Sequence, residues 1–549
     1  MPLDSPATAR PSLRLRADLP DRADDWPELP TRLAVLALGA VFVLFGASAL
    51  ELGPVESRLG MASNEPLGPY GRVFGFWDPS LWPASVALGR AWGFFEEQGA
   101  SLLAVRWPEA LAGVTIGFLL ARRARLVLGP KAGLLTAMAW FGSVALIDRS
   151  SSTGVDLIAG LGTVAALDRL MAKGAGWVVG AWASLAFVAA GWPPLAVLAL
   201  VTVVLGRRGS TWSWSMTWPI AATVAGWSAW ALMTAPAEAW ASALALPITQ
   251  GSAWGLAFAA IGLGLPWTPF VLLAKDGVFR EGWPAPARSM VVGWLQACGA
   301  CLVVGMIVPG LESAALVPAL AGLAVASAAC WERLWEDEGE LPVRITRRAS
   351  RMALAIALPW SALVLAWGGY LGFAVAFYRS TMIGVALITL AGLLMAIRSA
   401  RLGNARWALG AMVAVSFALK LAHWGYYAPE MNYRTGAGPW GRAIGQWVPE
   451  KHPIYVLHAW PADLAFATGR PVRQLPTPQH IGFQPTRGSK FVLLQDSEYS
   501  EALTWGRGWP KLIKVAEFED EMGLSKRILA RTDEPLIVER PFRKHDVIE

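Results

Sequence analysis

The sequence predicts a polytopic α-helical membrane protein: about thirteen transmembrane helices and a small C-terminal α/β domain outside the membrane. Three observations carry this. Charge is scarce, at 16% of 549 residues against 55% hydrophobic, where a soluble chain carries about 25% charged residues. Apolar runs of ~17–22 residues recur between positions 33 and 424, each long enough as a helix to cross about 30 Å of hydrocarbon. Beyond position 429 the pattern changes to short β-rich runs.

Residues 1–31 are rich in Pro, Asp and Arg and lack apolar periodicity. They read as a disordered cytoplasmic tail, too long and too acidic to front a cleaved signal peptide. The membrane domain is expected over 32–428. Its first span is Leu33–Leu50. Further spans fall near 102–121, 132–148, 153–171, 176–190, 193–206, 217–234, 254–274, 289–309, 312–330, 352–369, 381–397 and 406–424. Pro193 and Pro194 admit a single broken helix over 176–206, and charge decides against it. With the N-terminus in the cytoplasm and the spans alternating, the cytoplasmic loops hold 19 basic residues, among them Arg122, Arg123, Arg125, Lys131, Arg344, Arg347, Arg348 and Arg351. The outer loops hold about six. Merging 176–206 into one span would invert every later loop and erase the asymmetry.

That topology places 51–101, the Asp148–Ser152 turn, the Pro236–Ser252 loop and the domain 429–549 outside. The insert Glu51–Pro83 is the longest polar stretch before the C-terminal tail and carries Glu51, Glu56, Glu65, Asp78, Arg58 and Arg72. So long a loop in a compact membrane protein is expected to be functional, here roofing a cavity at the membrane face. LWPASVALGRAWGFF, 81–95, has the spacing of an amphipathic helix lying in the interface. In the outer domain, strands are expected at 453–459, 490–495, 511–518 and 536–539, with helices over PADLAFATG and SEYSEALTWG between them.

Several function classes are excluded. The net charge of +7 comes from basic residues in short loops between apolar runs, so it implies no nucleic acid partner. Most of the 30 Trp suit the lipid–water boundary. Three cysteines make no disulfide framework, and Cys298 and Cys301 lie inside an apolar run as small buried residues. There is no phosphate loop, dinucleotide fingerprint or zinc motif. His452 and His458 flank one strand and would stand about 20 Å apart, too far to share a metal.

Charges at or inside spans are costly and therefore informative. Asp156 lies less than two turns into its span, near Asp148 and Arg149; a capped helix start is the plain alternative to a site role. Asp168 snorkels beside Arg169 at the cytoplasmic end. Glu312 opens a helix after Pro309-Gly310, where its charge suits the dipole. Glu109 reads as an i,i+3 partner of Arg106. Glu56 and Arg58 fall just beyond the first span, where a shielded carboxylate suits general-base work and an arginine suits a phosphate oxygen.

The order of these features resembles the GT-C glycosyltransferases, and within them the dolichyl-phosphate-mannose/protein O-mannosyltransferase and aminoarabinose-transferase branch. VRWPEALAGVTIGFLLARRARLVLGPKAGLLTA, DRSSSTGVDLIAG, LGLPWTPFVLL, VPGLESAALVPALAGLA and HPIYVLHAWPADLAFATGRPVRQL are similar to family segments in the same order, across about residues 33–475. The resemblance implies transfer of a sugar from a polyprenyl-phosphate donor to an acceptor lipid, glycan or protein. In the family an acid in the first outer loop is the base, the phosphate leaves and the anomeric carbon inverts. This chain departs at two places. Val55-Glu56-Ser57-Arg58-Leu59 stands where the family has Asp-Glu-x-x-Tyr, and Asp78-Pro79-Ser80-Leu81 where it often has Lys-Pro-Pro-Leu. The carry-over makes Glu56 and Asp78 the catalytic carboxylates, with room for a divalent metal at Glu56. Arg58, Arg149 and Arg72 become substrate-binding residues, supported by Asp156. The departures keep a second reading open, a catalytically degenerate member acting in binding or scaffolding. A lipid or solute transporter is a third reading; it would favour two related halves, and no internal repeat is visible. The Ala, Gly, Arg and Trp bias points to a bacterium of high genomic GC content, hence its cytoplasmic membrane.

Overall fold

A computed structural model describes residues 54–63, 67–93, 102–149, 156–206, 213–236, 253–336, 341–435, 438–449 and 452–532, with short breaks within 67–93 and 452–532 and at 309, besides four positions between 33 and 41. The tail 1–31, most of the first span, the loop 237–252, and the strand expected at 536–539 lie outside the described residues.

The loop 51–101 holds helix α1, Pro54–Ser63; strands β1, Gly71–Val73, and β2, Phe76–Asp78; and helix α2, Pro83–Gly93. The membrane bundle follows as α3 (Leu102–Val127), α4 (Pro130–Phe141), α5 (Val144–Arg149), α6 (Asp156–Met171), α7 (Gly176–Ala190), α8 (Trp192–Gly206), α9 (Trp214–Thr234) and α10 (Ala253–Leu263). After a 3-10 helix at Thr268–Lys275 come α11 (Gly277–Gly282), α12 (Ala285–Ile307), α13 (Glu312–Glu336), α14 (Val343–Ala374), α15 (Arg379–Leu402) and α16 (Ala405–Ala422).

Among the described residues five helical segments are long and apolar enough to cross a membrane: Ala285–Ile307, Glu312–Glu336, Val343–Ala374, Ala376–Leu402 and Ala405–Met431. Their burial is that of a bundle in lipid. The most apolar stretch of α13 is 83% buried, the hub of the core, whereas that of α14 is only 22% buried. α14 and α15 turn Phe373 (93% exposed) and Leu387 (62%) outward, which suits hydrocarbon and not water.

Two expected spans are broken, each for a local reason, and a third stretch divides where the charges place a turn. The span 132–148 divides into α4 and α5 at Gly142-Ser143. The Gly142 carbonyl there accepts from Ser416 Oγ at 3.0 Å, and the Val144 N–H donates to the Leu265 carbonyl at 3.0 Å. The span 254–274 is a pair, Leu256–Leu263 and Thr268–Lys275, bent by 101°; Pro266 between them has no N–H to continue the ladder. The stretch 176–206 forms two helices, as charge counting requires, with the break at Gly191, φ +77°.

Ion pairs gather at one end of the bundle. Arg123 Nε lies 3.5 Å from Asp168, Lys131 3.8 Å from Glu336 and Arg344 3.7 Å from Asp276, all at the end the sequence assigns to the cytoplasm. Asp168 therefore has a partner on the neighbouring helix α3. Cys298, Cys301 and Cys330 are free and buried.

Beyond α16 a π-helical turn, His423–Tyr427, leads into α17 (Ala428–Thr435) and α18 (Gly438–Trp447). An α/β unit follows: β3 (Ile454–Val456), α19 (Ala462–Ala467), β4 (Val472–Gln474), β5 (Phe491–Gln495), α20 (Asp496–Ala502), β6 (Leu512–Glu519) and β7 (Lys526–Thr532). The sheet order is β4-β3-β5-β7-β6. β3 runs parallel to β4 and β5, and β5–β7–β6 are antiparallel. Alternate residues feed opposite faces: Ile454, Val456, Phe491 and Leu493 pack under α18 and α19, and Tyr455, Val492 and Leu494 pack against α20. Of these strands, β4 and β7 have no counterpart in the sequence reading.

Candidate functional site

α1 is too short to be stable by propensity. It is held by packing. Leu59 and Ala62 are buried with Val73 of the hairpin, Leu81 just ahead of α2, Val86 of α2 and Val105 of α3. Pro54 at the first helical position suits the start, since its missing N–H would have no partner there. Glu56 falls in this first turn and Arg58 in the next.

The hairpin pairs Gly71 with Asp78, Arg72 with Trp77 and Val73 with Phe76. It thereby delivers Asp78 to α1, where Asp78 Oδ2 accepts from Arg58 Nη1 at 3.1 Å. The Asp78 side chain is 15% exposed and that of Arg58 38%, so the pair sits at a surface, with the carboxylate innermost. Asp78 thus holds Arg58 in one orientation. Positions 72 and 78 stand on opposite faces of the ribbon, so Arg72 does not share the face that meets Arg58.

A second contact fastens the loop to the bundle. Trp82, ahead of α2, stacks on Trp227 of α9 (4.9 Å between centroids) and meets the edge of Phe187 of α7 (5.4 Å). Trp227 Nε1 donates to the Pro69 carbonyl at 3.2 Å. The Trp82 ring fills the α7–α8 break so closely that a Cβ at Gly191 would lie 2.2 Å from it.

The third element includes a long-range contact beyond the i,i+3 spacing that the sequence offers. Glu109 is 1% exposed and Arg106 0%. The Glu109 carboxylate crosses to α6, where its Oε2 accepts the N–H groups of Leu157 at 2.8 Å and Ile158 at 3.2 Å. It thus satisfies two amides of the helix start, where the dipole favours negative charge. Asp156 is the first residue of α6, so Glu109 pins the helix start that carries it. Glu312 behaves as expected, taking the Gly310 N–H at 2.8 Å.

Of the predicted site residues, the structure joins Arg58 to Asp78, and Arg72 stands on the other face of the hairpin. Glu56, Arg149 and Asp156 are placed by their backbones, and their side chains lie outside the described ones. Among the described residues no three His, Cys, Asp or Glu converge as a metal site, and Asp78 already carries a guanidinium. At the ends of α14–α16 nearest the π-helical turn there is an apolar cavity of about 450 Å³. Trp360, Trp367, Met382, Val385, His423 and Tyr426 line it, among others.

The chain is thus a helical membrane bundle with a long loop and a small α/β unit packed together at one end. Among solved structures it is similar to ArnT from Cupriavidus metallidurans in the apo state, with a TM-score of 0.67 and 15% identity over 91% of this chain and 97% of that one. The same protein bound to undecaprenyl phosphate gives 0.69 and 16%, over 92% and 98%. At this identity the likeness is one of fold. No family model matches the chain, and no curated protein matches its sequence.

Proposed function

We propose that this protein is an integral-membrane glycosyltransferase of the dolichyl-phosphate-mannose/aminoarabinose-transferase branch. It moves a sugar from a polyprenyl-phosphate donor to an acceptor at the outer face of a bacterial cytoplasmic membrane. The observation that carries this is the end-to-end agreement of fold with a structure that binds undecaprenyl phosphate. Two features of this chain support it. The acidic loop, the α6 start and the α/β unit meet at one end of the bundle, and the apolar cavity at the ends of α14–α16 is suited to a lipid chain.

In the proposed reaction Glu56 takes the proton of an acceptor hydroxyl. The freed oxygen attacks the anomeric carbon with inversion. The bond from that carbon to the phosphate oxygen breaks, and its electron pair leaves with the polyprenyl phosphate. Negative charge grows on the phosphate, and Arg58 and Arg149 stabilise it. Asp78 orients Arg58, and Asp156 supports Arg149. The divalent metal expected at Glu56 has no three-ligand set among the described residues, and no step above depends on one. The reading includes thirteen spans, with 1–31 in the cytoplasm, 32–428 as the membrane domain and 429–549 outside.

The test is turnover of radiolabelled polyprenyl-phosphate sugar by purified protein in liposomes. Wild type is expected to transfer or hydrolyse the sugar, and Glu56→Gln to abolish this at normal expression. Wild-type rates in Glu56→Gln would remove Glu56 from the mechanism. Binding without turnover would favour the scaffold reading, and movement of intact donor across the bilayer a transporter.

A further inference from the structure

We propose that Phe466, in the outer α/β unit, is a positioning residue for α1: its ring clamps the helix that carries Glu56 and Arg58. This rests on the site proposed above. The contact is unusually close. A Cβ on Gly60 would lie 2.4 Å from Phe466 Cε2 and 2.9 Å from Cζ, so the ring lies directly on the α1 backbone, an approach that only glycine permits. Position 60 stands one turn from position 56 on the same side of the helix.

The helix that carries the ring is itself held firmly. A Cβ on Gly441 would lie 2.4 Å from the Ala467 Cβ, and one on Gly445 2.1 Å from the Thr468 carbonyl oxygen. Thus α18 and α19 pack backbone to backbone beneath Phe466. The seam continues on both sides. Met61 and Phe74 pack against the core of the sheet, with Ile444, Val456 and Leu464, and also against the loop core of Leu59, Val73 and Leu81. Phe74 adopts φ +56° at the hairpin turn, a conformation unfavourable for a bulky side chain unless its surroundings impose it. The α/β unit and the acidic loop therefore form one packed body, and the unit acts as the rigid seat of the catalytic helix.

The test uses full-length protein and two independent readouts. Hydrogen–deuterium exchange of 54–63 reports on the clamp whether or not the chain is an enzyme. Phe466→Ala is expected to speed exchange there at least tenfold while leaving α13 unchanged. Turnover reports on its consequence. Phe466→Ala should lower kcat roughly 10- to 100-fold, as a misplacement of about 1 Å does, with KM for the polyprenyl-phosphate sugar within about threefold. Gly60→Ala should also lower kcat, because its methyl meets the ring. Gly60→Ala combined with Phe466→Leu should recover most of that loss, a non-additivity that independent structural damage would not give. Unchanged exchange in 54–63 after Phe466→Ala, or additive effects in the double variant, would overturn the clamp. Faster exchange with a fully active Glu56→Gln would leave the clamp standing and remove the site it serves.

Discussion

Glu109 shows how far a residue's role can lie from its sequence neighbours. Read along the chain, it is the i,i+3 companion of Arg106. In the fold its carboxylate reaches 48 positions onward to the Leu157 amide. Nothing in the local text announces this, because the partner is a backbone N–H and carries no residue identity. The only available signal is two charges in a run that should be apolar, where burial demands a purpose. The carboxylate makes charge-assisted bonds to two amides that have no other helical partner. Glu109→Ala should therefore destabilise the protein by on the order of 3 kcal/mol, read as a lowered thermal midpoint in detergent. Glu109→Gln keeps a carbonyl acceptor for one amide and should lose roughly 1 kcal/mol. Equal losses in the two variants would mean that charge, and not the cap, is what matters there. Asp78 was legible only as an acid in the long loop. Its pairing with Arg58, 20 positions away, needed the hairpin to be known first.

At the scale of elements, the loop is fastened to the bundle by a clasp of which only half was legible. Gly-Trp-Pro-Pro after Ala190 marks a helix break, and alternation of charge shows that the chain turns there. What fills the break is Trp82, more than one hundred positions earlier, and aromatic spacing offers no hint of such a pairing. The broken spans at 142–143 and 264–267 were missed for a related reason. Hydropathy averages over a window and does not register a turn whose backbone groups are satisfied by other helices. Gly191 meets two demands at once: a positive φ and no room for a Cβ. Gly191→Ala should expel the Trp82 ring. The expected outcome is a loss of about 1–3 kcal/mol together with faster proteolysis of 67–93, measured by limited digestion in detergent. Proteolysis at the wild-type rate would show that the loop is held elsewhere, chiefly through α1 and Phe466.

For the whole molecule, the membrane class was legible because it rests on composition, summed over hundreds of residues and tolerant of local error. The expected sidedness makes the loops alternate between two ends, and the contacts are compatible with that alternation. Segments assigned to the outer face meet one another: Trp82 with the Gly191 break, Trp227 with Pro69, Glu109 with the α6 start and Gly60 with Phe466. Segments assigned to the cytoplasm also meet one another, through Arg123–Asp168, Lys131–Glu336 and Arg344–Asp276. An odd error in the count of spans between two such partners would place them at opposite ends of the bundle. The contacts do not say which end faces the cytoplasm; only the excess of arginine and lysine does. The three native cysteines are buried, so a single introduced cysteine can report alone. Leu503→Cys, at a position 64% exposed in the α/β unit, should react with a membrane-impermeant maleimide in intact spheroplasts. Arg347→Cys, exposed at the start of α14, should react only after permeabilisation. The reverse pattern would put the acidic loop in the cytoplasm together with the α/β unit that clamps it. An outer-face transferase could not then be built on this fold, however well its residues matched.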